Sequence, residues 1–253
     1  MTATSASASA TEDYDLRFYF DPVCPFAWMT SRWVRMVAQQ RDYRVDWRFI
    51  SLRLLNAHLD YATHFPQGYD DGHSAGLRLL RVAARIRAEH GREQMGPFYE
   101  AVGARVFDDP AAADDATHGG YRGTPAFLEP ILLELGLPTG LGAALDDPSW
   151  DEEIQAETDE ALTLTGRDVG TPILHVDPPG GVAFFGPVIS RLPSPEQAVP
   201  LWDNVLGLAR FPGFAELKRS LREQPQLASF GVTTSDVGLQ EDWHQGSRLA
   251  PTD

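Results

Sequence analysis

The sequence predicts an α/β protein: a small mixed sheet whose two halves are separated along the chain by a helical block. Three observations carry this. Strand, helix and strand patterns follow one another within residues 14–50. A long middle stretch shows helical spacing with no competing alternation. Strand alternation then returns near Pro172 as two short runs followed by one more helix.

The first strand is read at residues 14–20, where Leu16, Phe18 and Phe20 alternate with Arg17 and Tyr19. Asp21-Pro22-Val23-Cys24-Pro25 is a turn, and Pro25 suits the first position of a helix. That helix, residues 26–41, carries Trp28, Trp33, Met36 and Val37 at spacings that form one apolar face. Residues 43–50 alternate again and give the second strand, so strand–helix–strand predicts a parallel pair. Residues 56–72 read as an irregular connector. Leu77, Leu80, Val82, Ala83 and Ile86 then recur at helical spacing up to a glycine stop at Gly91. Further helices are expected at 94–107, 124–135 and 148–165. Residues 172–176 and 182–185, joined by Pro178-Pro179-Gly180-Gly181, predict a β-hairpin. Helices at 195–208 and 214–222 complete the ordered chain.

The order βαβ, helical block, ββα is a thioredoxin-like topology with an insertion after the second strand. It gives a thioredoxin-like domain from residues 14–72 and 167–224 and a helical insertion domain at 73–166. Residues 1–13 are expected to be a disordered tail, rich in Ala, Ser and Thr and without the basic and apolar regions of a secretory signal. Residues 225–253, polar and aperiodic, are expected to be weakly ordered.

Composition narrows the function. Among 253 residues, 36 acidic side chains against 21 basic ones give a formal charge of −15, which repels phosphate backbones and argues against nucleic-acid binding. No apolar run approaches membrane-spanning length. A single cysteine excludes an intramolecular disulfide and, with the N-terminal reading, points to the cytoplasm. Lys218 is the one lysine, a bias that suits a high-GC genome.

Cys24 is the candidate nucleophile. It stands where a strand ends and a helix begins, and unpaired N–H groups of the first helical turn stabilise an anion there. Cysteines so placed have pKa values lowered from about 8.5 to roughly 3.5–7.5. A lone cysteine is more often a small buried hydrophobe; position and the following Pro25 argue for a functional thiol. Asp21, if it pointed inward, would raise that pKa. Thr171-Pro172 precedes the returning strand; in the thioredoxin fold the matching bond is cis and faces the active cysteine. His58, His64 and His73, with Asp60, Asp70 and Asp71, fit no compact metal motif, so no metal is expected. His175 is read as a strand residue satisfied by a local hydrogen bond, Trp33 as core, and Phe26 and Trp28 as borders of a flat apolar site.

Four separated segments resemble a known family. The run from Phe20-Asp21-Pro22-Val23-Cys24-Pro25-Phe26-Ala27-Trp28 to Trp33 is similar to the active-site segment of actinobacterial mycothiol-dependent nitroreductases, in the DsbA-like family. Asp168-Val169-Gly170-Thr171-Pro172, with His175-Val176, resembles their cis-proline segment. Residues 183–191 resemble the hairpin and turn that follow, and Glu216-Leu217-Lys218-Arg219 their C-terminal helix. The likeness runs from about residue 15 to about residue 227. It departs where the family has Cys-Pro-x-Cys, because this chain has Cys24-Pro25-Phe26-Ala27 and no resolving thiol.

The resemblance implies monothiol chemistry, with Cys24 catalytic and Pro25, Phe26, Ala27, Trp28, Thr171 and Pro172 binding substrate or cofactor. Mycothiol would be the cosubstrate that releases Cys24, and a small electrophilic or nitro compound, or a mixed disulfide, the other partner. A homodimer is also implied by the family alone. Two other readings stand beside it. Kappa-class glutathione transferases and 2-hydroxychromene-2-carboxylate isomerases share the insertion and bind a thiol without cycling a disulfide, but typically carry serine where Cys24 stands. A redox fold turned non-catalytic binding protein is the third.

Overall fold

The computed structural model describes residues 14–66, 68–109, 118–218, 221–223, 225–230 and 240–242; the expected tail at 1–13 lies outside them. Four strands form the central sheet: β1 (Leu16–Phe20), β2 (Val45–Phe49), β3 (Ile173–Val176) and β4 (Val182–Phe185), in the order β2-β1-β3-β4. β1 and β2 run parallel, joined by helix α1 (Pro25–Arg41). β3 is antiparallel to both its neighbours, with Leu174 opposite Phe18 on one side and Phe184 on the other. An α/β sheet of this order and polarity is the thioredoxin-like fold.

Among the described residues, eight more α-helices follow. They are α2 (Leu52–Leu55), α3 (Tyr61–His64), α4 (Tyr69–His90), α5 (Met95–Gly103), α6 (His118–Tyr121), α7 (Pro125–Glu134), α8 (Asp151–Thr165) and α9 (Pro195–Ala209). Past α5 the chain continues as a π-helical stretch, Ala104–Asp108. The connector is more regular than its sequence suggests. Ser51 and Asp60 cap α2 and α3 through their side-chain oxygens, and the long helix begins at Tyr69, ahead of His73.

Both faces of the sheet are covered. Leu16, Phe18 and Phe20 join a core with Trp28 and Trp33 of α1, Trp202 of α9 and Tyr99 of α5. Trp33 meets Trp202 edge to face at 5.8 Å and donates its indole N–H to the Ala198 carbonyl oxygen at 2.9 Å. Each such fully buried large side chain contributes on the order of 1.5–3 kcal/mol. On the opposite face Tyr19, Ile50 and Ile173 pack against Ala161 and Leu162 of α8. Tyr19, a solvent-side position in a one-faced strand, is therefore fully buried. Glu157 of α8 accepts the Phe49 N–H at 2.8 Å and pairs with Arg87 of α4 at 3.0 Å, which ties three elements together.

Two C-terminal expectations are corrected. Residues 214–218 form no helix, and Leu221–Glu223 is a strand, β5, antiparallel to β6 (Gln240–Asp242). Phe211, Phe214 and Leu217 are exposed, so a helix here would have no partner for its apolar face, and periodicity alone does not sustain a short helix. The described part of the expected loose tail is held. The Gln226 N–H donates to the Ser190 carbonyl oxygen at 2.8 Å, and Leu227 is buried.

Candidate active site

Cys24 is the N-cap of α1, with extended backbone and Pro25 in the first turn. The Ala27 N–H donates to its Sγ at 3.4 Å. The thiol in turn donates to the Thr171 carbonyl oxygen at 3.5 Å, and the Thr171–Pro172 bond is cis. Thr171 is anchored to the sheet, since its hydroxyl donates to the Tyr19 carbonyl oxygen at 3.3 Å. The strand end, the helix start and the cis-proline loop thus meet at one sulfur.

The turn before Cys24 is set by Asp21, which is fully buried. Its two carboxyl oxygens accept the Val23 N–H at 2.9 Å and the Leu52 N–H at 2.7 Å, joining the end of β1 to the start of α2. Burial pushes the carboxyl up to about 7, against the pull of those two donors. Helix α4 closes over this turn at Gly76, where a Cβ would lie 2.8 Å from both Asp21 Oδ1 and Val23 Cγ2. Tyr99 of α5 covers the other side, its ring stacked on Phe20 at 3.9 Å and edge-on to Trp28 at 5.7 Å.

That cover overturns the expected thiolate. Cys24 is 7% exposed, and burial pushes its thiol up from 9.0 to about 12. The Ala27 and Phe26 N–H groups favour the anion and the Asp21 charge opposes it; loss of hydration outweighs the donors. In this state the thiol is neutral.

The other expected site residues divide. Pro25 and Phe26 are half-buried at the start of α1, and the Phe26 N–H favours the anion at Cys24. Thr171 and Pro172 are buried beside the sulfur. Ala27 is fully buried and contributes through its backbone. Trp28 is a correction: at 2% exposure it is core, stacked on Phe107 at 6.3 Å with its indole N–H donated to Asp108 Oδ1 at 3.3 Å. Its ring fits because Gly103 has no side chain, a Cβ there falling 2.2 Å from Trp28 Cε3. His175 is a second correction. Its Nδ1 is buried without a hydrogen-bond partner, and the ring senses Arg17, Glu160 and Arg48 on the α8 face. His73 bonds the Tyr61 hydroxyl at 3.1 Å, and among the described residues no group of three or more His, Cys, Asp or Glu could hold a metal. No described helix is long and apolar enough to cross a membrane.

Residues 23–219 match the Rv2466c-like family, described as mycothiol-dependent nitroreductase Rv2466c. The chain belongs to this family. Membership places it among thiol-dependent oxidoreductases, in agreement with the sulfur at the α1 cap beside the cis-proline loop. A relative in Mycobacterium tuberculosis (strain ATCC 25618 / H37Rv), the uncharacterized protein Rv2286c, is 33% identical over 203 residues, 80% of each chain. Among solved structures, 2-hydroxychromene-2-carboxylate isomerase is similar at 14% identity, over 76% of this chain and 94% of that one, with a TM-score of 0.49. The cytosolic disulfide reductase DsbM from Pseudomonas aeruginosa with GSH is similar at 15% identity, over 76% and 99%, with a TM-score of 0.46. The fold follows from the strand order above, not from these two likenesses.

Sequence reasoning did not find Gly76 and Tyr99, which cover the Cys24 turn from the helical block, or Gly103, which makes room for the Trp28 ring. The glycines left a signal, since each interrupts a helical pattern at a cost of about 1 kcal/mol relative to alanine. Tyr99 left none.

Proposed function

We propose that this protein is a cytoplasmic monothiol reductase that uses mycothiol to reduce a small electrophile such as a nitro compound, or a mixed disulfide. The observation that carries the reading is the placement of Cys24 Sγ, capping α1 and 3.5 Å from the Thr171 carbonyl oxygen beside Pro172. The covered thiol is the resting form, and ionisation follows when bound cosubstrate opens the site. For a mixed disulfide of substrate and mycothiol, Cys24 loses its proton to solvent and attacks the mycothiol sulfur. The substrate thiolate leaves and takes up a proton. A second mycothiol then attacks that same mycothiol sulfur, giving mycothiol disulfide and free Cys24. For a nitro compound, two mycothiols supply two electrons and two protons, yielding the nitroso product, water and mycothiol disulfide.

The high thiol pKa favours one second reading. A neutral Cys24 can donate its S–H to the thiolate of a bound cofactor, the role a serine would fill in a transferase or isomerase. Intact mass after incubation with mycothiol disulfide, beside turnover with mycothiol and a nitro compound, separates the two. In the reductase, wild type gains one mycothiol, Cys24→Ser gains none, and both Cys24→Ser and Cys24→Ala lose turnover. Turnover kept by Cys24→Ser and lost by Cys24→Ala would select the second reading. Turnover unchanged in both variants would remove Cys24 from the chemistry.

A further inference from the structure

With Trp28 in the core, two aromatic rings remain near the surface of the site: Phe26, half-buried at the start of α1, and Phe185, the last residue of β4. Phe185 is 40% exposed, and it pairs in register with Ile173, the residue after Pro172. Its ring lies 3.7 Å from the position of a Cβ on Gly170. The following peptide is fixed to the same loop, because the Gly186 N–H donates to the Pro172 carbonyl oxygen at 2.8 Å. Gly170 adjoins Thr171, whose carbonyl oxygen is 3.5 Å from Cys24 Sγ. The ring is therefore separated from the sulfur by one van der Waals contact, one residue and one hydrogen bond.

Burial differs on the two sides of the sulfur. On the helical-block side Gly76 packs against Asp21 and Val23, and Tyr99 is fully buried. Along the cis-proline loop exposure rises outward, from buried Thr171 through half-buried Gly170 and Val169 to Phe185. Neither backbone nor packing requires glycine at position 170. Its φ is outside the left-handed region, and an added Cβ would meet the Phe185 ring at ordinary van der Waals distance. Bare backbone beside an aromatic ring is a slot for a flat group: glycine lets a ligand approach the main chain, and the ring supplies an apolar wall. Single exposed apolar side chains are common on protein surfaces. This one is set apart by its anchorage to the loop that touches the reactive sulfur.

We propose that Phe185 is a specificity-determining residue which, with Gly170, holds the aromatic ring of the electrophilic substrate beside Cys24. This rests on the reductase reading and narrows its electrophile to a flat aromatic compound. Two aromatic rings attract beyond the area they bury when they meet offset or edge to face, and a saturated ring of similar size lacks that contribution.

The test compares 4-nitrobenzamide with its saturated analogue, trans-4-nitrocyclohexanecarboxamide, by equilibrium binding in wild type, Phe185→Leu, Phe185→Tyr and Gly170→Ala. KM is measured beside it for 4-nitrobenzamide and for mycothiol. Wild type is expected to bind the aromatic compound about 2- to 12-fold more tightly, the factor set by one aromatic pair. Phe185→Leu, which keeps an apolar side chain, should lose that preference and raise KM for 4-nitrobenzamide but not for mycothiol; Phe185→Tyr should keep it. Gly170→Ala should weaken 4-nitrobenzamide binding at an unchanged melting temperature, because its Cβ fits the folded loop and fills the slot. No preference in wild type, or one that survives Phe185→Leu, overturns the assignment, as does wild-type binding by Gly170→Ala. A KM raised for mycothiol alone would place the ring against the thiol and refute the proposal. If wild type shows the binding preference but turns over no nitro compound with mycothiol, the reductase reading fails and the aromatic site stands.

Discussion

Alkylation of Cys24 gives a direct test of the covered thiol, because the chain has no other cysteine. With the thiol pushed up to about 12, pH 7 lies about five units below it, and about one molecule in 10⁵ is ionised. An exposed cysteine of pKa about 8.5 is ionised in about one molecule in 30 at the same pH, a difference of about 3.5 decades. The more basic thiolate is the better nucleophile, and a Brønsted slope of about 0.4–0.5 returns about 1.5 of those decades. Iodoacetamide should therefore label wild type about 100-fold more slowly than a free thiol at pH 7, before steric cover adds to the delay. The rate should keep rising about tenfold per pH unit past pH 9, with Cys24→Ala as the blank. Labelling at pH 7 within about threefold of a free thiol, or a rate that levels off below pH 8.5, would refute the burial argument.

Three further outcomes follow from the site. Asp21 has its carboxyl raised from 3.8 to about 7, so its contribution is fully present below pH 3.8 and is lost as pH rises through 7; wild type should lose stability relative to Asp21→Asn by an amount on the order of 4 kcal/mol across that window. A difference in urea unfolding that stays constant from pH 4 to 8 would contradict this. Gly103→Ala places a Cβ 2.2 Å from the Trp28 ring and should destabilise by about 1–3 kcal/mol despite alanine's helix preference, so an unchanged or raised melting temperature would show that Trp28 can move aside. Ala27→Cys restores the Cys-Pro-x-Cys pattern at a residue whose N–H already touches Cys24 Sγ, and oxidation should remove two hydrogens by intact mass; two persistent free thiols would mean that the turn cannot close a disulfide.

The position of Cys24 in the fold was legible and its environment was not. Alternation in Leu16, Phe18 and Phe20, the turn at Asp21-Pro22, and Thr171-Pro172 before a β-hairpin are local patterns, and they place Cys24 between strand, helix and cis-proline loop. Its cover comes from residues far along the chain: Gly76 on α4 and Tyr99 on α5. Local spacing carries no information about which distant helix lands on a turn. Tyr19 shows the same limit. Its alternation places it away from the α1 side, but only the packing of α8 makes that second face dry. At residues 214–218 the error ran the other way, since helical spacing was present and the partner surface was absent.

Magnitudes explain why the thiol is neutral at a position that favours an anion. A helix N-terminus contributes about 0.3–1 kcal/mol to a nearby charge, up to about 2 in partly buried geometry, or roughly one pKa unit. Complete burial moves a titrating group by up to about 3–5 units in the opposite direction. The cap can win only while water reaches the sulfur, and α4 and α5 remove that water. This balance suits a chain that carries Ala27 three residues after Cys24 and has no second cysteine. An exposed lone thiolate without a resolving partner oxidises readily toward sulfenic and then sulfinic acid, and the second step is irreversible for most proteins. A protonated sulfur under Tyr99 and Gly76 is protected from that loss.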